Sequence, residues 1–237
     1  MSISLSPFTQ DLLKNFSNIN KSIVIEPGNK ISTISINKNI LARATVEESF
    51  EYKMAFYDLS TFLGGISLID EPQLSITDKK CSVKSKNGKS STTFYYADPD
   101  IITSPPKKEI AMPDPTCSFE LTTDTLMTIE RAAKLYMVPD LCVTTRGQDL
   151  ILTVTDKKND TSNAFEIVVG EVSPDETFCY CMKVENLKVM SQAQRAGRSL
   201  NYQVSLSDKK VAYFKDQQGN LEYFIALEPD SELRHKV

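Results

Sequence analysis

Along this chain, apolar and polar positions alternate in short runs, interrupted by a few stretches of helical spacing. The first helical stretch covers Phe8 to Asn18, after a short alternating strand from Ser2 to Leu5. Phe8, Leu12, Phe16 and Ile19 share one face of it, and Gln10, Lys14, Ser17 and Lys21 the other. Ser6 and Pro7 stand where an N-cap and a first helical residue belong. Predicted strands follow at Ile23 to Ile25 and Ile31 to Ile36, joined by the turn Pro27-Gly28-Asn29, then at Leu41 to Thr45 and Phe50 to Phe56. A second helix is predicted from Asp58, its N-cap, with Leu59, Phe62 and Ile66 inward. Gly64 and Gly65 in its middle cost roughly 1 kcal/mol each, which is tolerable only where something must approach closely. Strands at Gln73 to Thr77, Cys81 to Lys86 and Ser91 to Ala97 complete the first half.

From Asp98 to Pro115 the pattern lapses. Pro99, Pro105, Pro106, Pro113 and Pro115 make this an extended connector. The order then starts again. Cys117 to Leu121 reads as a strand, and Thr122 to Met137 as a helix with Leu126, Ile129, Ala133 and Tyr136 inward. Strands follow at Leu141 to Thr145, Leu150 to Val154, Phe165 to Val169 and Phe178 to Val184. A fourth helix is predicted from Asn186, and three more strands run from Tyr202 to Leu227. Each half is strand, helix, several strands, helix, three strands: an α+β domain with two helices on mostly antiparallel sheet.

The halves match residue by residue as well. Phe50, Tyr52, Met54, Asp58, Leu59 and Phe62 recur as Phe178, Tyr180, Met182, Asn186, Leu187 and Met190. Leu74, Ser75, Asp78, Lys79 and Lys80 return as Val204, Ser205, Asp208, Lys209 and Lys210, and Ala97-Asp98-Pro99-Asp100 as Leu227-Glu228-Pro229-Asp230. The offset is smaller near the start, where Leu5 falls on Leu121 and Gly28 on Gly147, as loop insertions in the second copy would produce. The 237 residues therefore divide into two related domains, 1–107 and 108–237, suited to a pseudo-symmetric assembly.

Composition narrows the function. With 41% hydrophobic and 24% charged residues the chain is an ordinary globular one, and a net charge of -4 excludes a uniformly basic nucleic-acid binder, though not a locally basic face. No secretory signal opens it and no stretch is long enough to span a bilayer. Cys81, Cys117, Cys142, Cys179 and Cys181 are odd in number, scattered and without a Cys-x-x-Cys pair, so neither a disulfide framework nor a zinc knuckle is expected. Cys179 and Cys181 share a strand face and read as core thiols in a reducing cytoplasm. The sequons at Asn20 and Asn159 carry no meaning there.

Catalysis finds little support. The single histidine, His235, stands close to the C-terminal end of the sequence. Gly88-Lys89-Ser90 lacks the earlier glycine of a phosphate loop and reads as a hairpin turn. The acid pairs Asp98/Asp100 and Glu228/Asp230 flank prolines and read as solvated turns rather than cation sites. No enzyme activity, metal or cofactor is expected.

The helix outer faces are more informative. Lys14 projects from the first, Arg131 with Lys134 from the third, and Lys188, Gln192 and Arg195 from the fourth, with Lys21 and Arg198 just past helix ends. On any one helix such charge is ordinary solvation. Recurrence in both copies of an acidic chain favours a surface for phosphate contact without base readout. Aromatic residues are not interleaved there, so single-strand stacking is not expected.

Leu12-Leu13-Lys14-Asn15-Phe16 with Ile19-Asn20, Tyr57-Asp58-Leu59 with Phe62-Leu63-Gly64, Ser67-Leu68, Ala97-Asp98-Pro99 and Ala226-Leu227-Glu228 together resemble the T-even-type phage sliding clamps, over nearly the whole chain in order. The resemblance implies the DNA-clamp (processivity) fold in duplicate and a homotrimeric ring around duplex DNA, a polymerase processivity factor without enzymatic activity. It further implies an ATP-driven clamp loader, a replicative DNA polymerase docking by a short peptide, assistance to late transcription, and work in the cytoplasm of an infected host cell. DNA-facing residues would be Lys14, Lys21, Arg131, Lys134, Lys188, Arg195 and Arg198. The subunit joint would pair Thr92, Phe94 and Tyr96 of one chain with Phe165, Ile167 and Val169 of the next. Ile101, Ile102, Ile110 and Met112 would lie near the partner pocket. The second helix departs from this pattern in having no lysine or arginine. The alternative is a phage structural or assembly protein of two related sheet domains without DNA contact.

Overall fold

The computed structural model describes residues 2–108, 110–173 and 176–235, with residues 176 and 233–235 as backbone only. They form two compact units. Residues 1–108 with 192–198 make the first, and residues 109–191 with 199–237 the second.

The first unit contains β1 (Ser2–Ile3), α1 (Pro7–Ile19), β2 (Ile23–Ile25), β3 (Gly28–Ile34), β4 (Ile40–Phe50), β5 (Met54–Phe56), α2 (Leu59–Ser67), β6 (Pro72–Ile76), β7 (Lys80–Ser85) and β8 (Ser91–Tyr95). Its strands pair antiparallel throughout: β1-β6-β7-β8 in one sheet, β3 with β4, and β2 with β5. Helix α1 begins where Ser6 and Pro7 predict. The Ser6 hydroxyl accepts the Thr9 N–H at 3.2 Å. Glu48, buried on β4, completes the cap by accepting the Ser6 N–H and, at 2.6 Å, the Thr9 hydroxyl. The apolar face of α1 then goes fully inward through Leu12, Leu13 and Phe16. Each such side chain stabilises the unit by about 2 kcal/mol.

Helix α2 starts at the Asp58 cap, whose carboxylate accepts the Thr61 N–H at 2.9 Å and is thereby held below the usual carboxylate range. Its two glycines differ. A Cβ on Gly65 would stand 2.3 Å from the Phe94 ring of β8, whereas one on Gly64 would meet nothing within 4 Å. The close approach that the sequence demanded is therefore at Gly65 alone.

The second unit repeats the plan. It contains β9 (Cys117–Leu121), α3 (Thr123–Tyr136), β10 (Asp140–Arg146), β11 (Asp149–Thr155), β12 (Phe165–Glu171) and β13 (Glu176–Lys183). The short strands β14 (Gln192–Ala193) and β15 (Arg198–Ser199) come next in the chain, in the segment 192–198 that belongs to the first unit, and the second unit resumes with β16 (Tyr202–Ser207), β17 (Val211–Asp216), β18 (Leu221–Ala226) and β19 (Glu232–His235). The order β12-β11-β10-β13-β19 forms one sheet, and β9-β16-β17-β18 mirrors β1-β6-β7-β8. Helix α3 is capped by Thr122, and Thr123 Oγ1 donates to the carbonyls of Leu200 and Ser191 at 3.0 and 3.2 Å. It ends at Met137, which takes the left-handed conformation (φ 52°) usually left to glycine.

The fourth helix predicted from Asn186 does not form. Val184–Asn186 is one 3₁₀ turn, and the chain then runs without regular structure into the β14–β15 hairpin. Leu187, Val189 and Met190 are buried in that segment, with Lys188 half-buried between them. The backbone groups that a helix would pair internally are taken by buried tyrosines. Tyr202 donates to the Met190 carbonyl at 2.5 Å, and the Met190 N–H donates to the Tyr223 hydroxyl at 3.2 Å. The β-branched Val184 and Val189 weaken the helical alternative further.

The cysteine expectation is also corrected. Cys142 and Cys181 are disulfide-bonded. The register of β10 against β13 places them directly opposite, a pairing that their separation of 39 residues does not betray. Cys179 is half-buried rather than a core thiol. The side chain of His235 lies outside the described residues.

Candidate nucleic-acid interface

Outward from the buried face of α1 stands Lys14, exposed. Around it, Ser17 and Asn18 of α1, Ser60, Leu63, Gly64 and Ser67 of α2, and Arg195 line one depression of about 310 Å³. Arg195 comes from far along the sequence, and Asp11 holds it there. The buried Asp11 carboxylate accepts the Arg195 N–H at 2.7 Å. Arg198 is fixed nearby, its guanidinium 4.5 Å from the centre of the Phe8 ring. The 192–198 hairpin thus packs on α1 and adds the cations that α2 lacks. Lys14 of α1 and Arg195 of the hairpin share one polar depression with Ser17, Asn18, Ser60 and Ser67; the Ser17 and Ser67 hydroxyls donate to the Lys14 and Gly64 carbonyls at 2.8 and 2.6 Å.

Lys21 follows the end of α1, exposed, and its carbonyl accepts the Leu59 N–H at 2.7 Å where α2 begins. In the second unit Arg131 and Lys134 are exposed on the outer face of α3. Arg131 donates to Thr128 at 3.4 Å, a loose contact that leaves most of the guanidinium's hydrogen-bonding capacity directed outward. Burial raises the Glu130 carboxyl above its ordinary range, and the neighbouring Lys134 opposes that rise. Lys188 is the misplaced residue. It lies in the segment that enters the hairpin, half-buried, and does not share a helical face with Gln192 and Arg195. Asp11 and Phe8, which position the hairpin, were missed. The available signal was an acid inside the apolar stripe of α1, three residues after Phe8.

The strands named for the subunit joint are both sheet edges: β8 ends the order β1-β6-β7-β8, and β12 ends the five-stranded sheet. On β8, Thr92 and Phe94 are half-buried, with Phe94 edge-on to Phe62 at 5.1 Å. Tyr96 lies just beyond the strand, edge-on to Phe56 at 5.6 Å, and burial pushes its hydroxyl pKa up. On β12, Phe165, Ile167 and Val169 are half-buried. Of the residues named near a partner pocket, Ile101 is 64% exposed on the turn Pro99–Ile101, Ile110 is exposed and Met112 half-buried. Ile102 is only 6% exposed and belongs to the core of the first unit.

Two chemical candidates resolve into structure. Gly88 has φ 70° in the turn between β7 and β8, and the Gly88 N–H donates to the Ser85 carbonyl at 2.9 Å. Asp230 and Glu228 are not merely solvated. Lys157 Nζ stands 2.5 Å from Asp230 and 4.0 Å from Glu228, which holds the Asp230 carboxyl below its usual range. No described helix is long and apolar enough to cross a membrane.

This architecture is the two-domain clamp fold. Solved structures of similar fold include the PCNA2-PCNA3 complex from Sulfolobus tokodaii (TM-score 0.67, 13% identity, 96% of this chain and 98% of that one). A second is the A. fulgidus PCNA bound to the C-terminal region of FEN-1 (TM-score 0.70, 12% identity, 98% and 99%). Within that fold the sequence matches are specific. Residues 6–103 match the DNA polymerase processivity factor family and residues 118–229 the gp45 sliding clamp C-terminal family. The sliding clamp of Vibrio phage KVP40 is 33% identical over 232 residues, spanning 95% of this chain and 99% of that protein. That of Enterobacteria phage T4 is 26% identical over 235 residues, spanning 97% and 98%. The chain belongs to the phage sliding clamp family, the processivity factors of DNA polymerases.

Proposed function

We propose that three copies of this chain close into a ring around duplex DNA, each contributing two domains divided near residues 107 and 108. The phosphate backbone would run past Lys14, Lys21, Arg195 and Arg198 in the first unit and past Arg131 and Lys134 in the second, with Lys188 at the margin. The observation that carries this reading is the joint placement of Lys14 and Arg195 in one hydroxyl-lined depression. Charge placed so suits phosphate oxygens of any sequence. A closed ring holds DNA topologically, so each contact can stay weak and sliding is not impeded. The edges of β8 and β12 supply the joint between chains, with Thr92, Phe94 and Tyr96 facing Phe165, Ile167 and Val169 of the next copy. An ATP-driven loader would open that joint. The polymerase would dock by a short peptide near exposed Ile101 and Ile110, half-buried Met112 and buried Ile102. The chain would act without catalytic chemistry, in the cytoplasm of the infected cell.

Light scattering should give the mass of three chains, and a compact monomer at high concentration would count heavily against the ring. With loader and ATP, the protein should be retained on nicked circular DNA and lost after linearisation. The pair Lys14→Glu and Arg195→Glu should shorten polymerase run length and lower the salt slope of DNA association by about 2, one for each lost phosphate contact. An unchanged slope would remove these residues from the interface.

A further inference from the structure

The five-stranded sheet of the second unit carries a sulfur cluster that neither DNA contact nor ring closure uses. Cys142 on β10 and Cys181 on β13 are cross-strand neighbours with Cα atoms 4.1 Å apart. Cys179 lies two residues earlier on β13 and so projects from the same face. Its Sγ is 3.6 Å from that of Cys181, and all three sulfurs lie within 4.8 Å of one another. Glu232 on β19 is paired in register with Cys179, which puts its side chain on that face too. Cys142 and Cys181 are buried, whereas Cys179 is half-buried and opens the cluster to solvent.

We propose that, once the disulfide is reduced, Cys142, Cys179 and Cys181 bind a zinc(II) ion, with Glu232 closing the coordination. Geometry favours a thiophilic cation over a second disulfide. Tetrahedral zinc with Zn–S bonds of about 2.3 Å places its sulfurs about 3.8 Å apart. The Cys179–Cys181 pair already stands at 3.6 Å. The bonded Cys142–Cys181 pair has to separate, and breaking its bond allows that. A dithiol reductant gives two electrons and two protons, leaving as a disulfide while Cys142 and Cys181 become thiols. Zinc then displaces the three thiol protons and forms three Zn–S bonds. Cys81 shows the contrasting case. It lies outside the cluster, and burial pushes its thiol up to about 12, so it stays an inert core group.

The test uses the full chain, reduced with a phosphine that does not chelate, desalted without air and titrated with zinc against a chromophoric chelator. Uptake of one zinc per chain is expected, and cobalt(II) in its place should give thiolate charge-transfer absorption. Cys179→Ser, at a half-buried position where the fold should persist by circular dichroism, should weaken zinc binding at least about tenfold and reduce that absorption. The oxidised chain should take up no zinc. No uptake by the reduced chain, equal uptake by the oxidised chain, or unweakened binding by the serine variant would each overturn the assignment. Trimer formation and retention on DNA are separate measurements, so failure here leaves the clamp reading standing.

Discussion

The two units follow one topological plan and differ most at the second helical position. In the first unit the chain leaves β5, meets Asp58 and forms α2. In the second it leaves β13, meets Asn186 and forms no helix; the residues that follow, 192–198, make a hairpin that belongs to the first unit and packs on α1. The difference is a matter of local competition. Asp58 satisfies the first free N–H groups of a helix, whereas beyond Asn186 Tyr202 and Tyr223 offer the backbone partners that a helix would have had to refuse. The consequence reaches the proposed DNA-facing surface. α2 carries no cation, and the segment that failed to become a helix supplies Arg195 and Arg198 instead. Equivalent stretches have exchanged a helical wall for an arm that delivers charge.

The largest expected effect tests what stiffens the start of that diverging stretch. Asp140 is fully buried and Lys183 Nζ lies 2.5 Å from it. Lys183→Met should cost about 3 kcal/mol in urea denaturation by stranding the carboxylate. The pair also has a pH signature. Because the folded pKa of Lys183 is raised above 10.5, its contribution is fully present below that pH and is lost as pH rises through the folded value. Wild-type stability should fall in strongly alkaline solution, and Lys183→Met should remove that part of the fall.

Next comes Tyr202→Phe, which leaves the buried Met190 carbonyl without its donor and should cost about 2 kcal/mol. Equal stability of this variant and wild type would break the account of why no helix forms there. Gly65→Ala should destabilise by about 1–2 kcal/mol, because the Phe94 ring occupies the space a Cβ needs. Gly64→Ala should instead stabilise by about 1 kcal/mol, since its Cβ meets nothing and helix propensity improves. Thermal melts of the two variants should therefore move in opposite directions. The smallest effect is the Asp58 cap. Its carboxyl is depressed in the fold, so its contribution is present above the unfolded value of 3.8 and lost as pH falls through the folded pKa. Asp58→Asn, which keeps the cap but cannot ionise, should flatten that acid limb.

Much of this was legible in the residues themselves. Ser6-Pro7 and Asp58 announced two helices by their caps, apolar spacing announced the third, and alternation marked the paired strands to within a few residues at most ends. The family was legible as well, because short matched segments such as Leu12-Leu13-Lys14-Asn15-Phe16 survive in order along the chain. The failures share one cause. Leu187, Met190 and the cations after them have helical spacing on paper, yet two tyrosine hydroxyls from later strands decide the outcome. Cys142 and Cys181 are ordinary scattered thiols until the β10–β13 register sets them opposite each other.

By itself, then, the sequence determined what depends on neighbours a few positions away: caps, turns, strand period, the duplicated plan and the net negative charge. Tertiary structure alone decided what depends on groups brought from afar. Asp11 fixing the Arg195 backbone, Phe94 filling the gap at Gly65 and three sulfurs meeting on one sheet face are contacts between distant segments. Periodicity records which way a side chain points, but not what the fold will place in front of it.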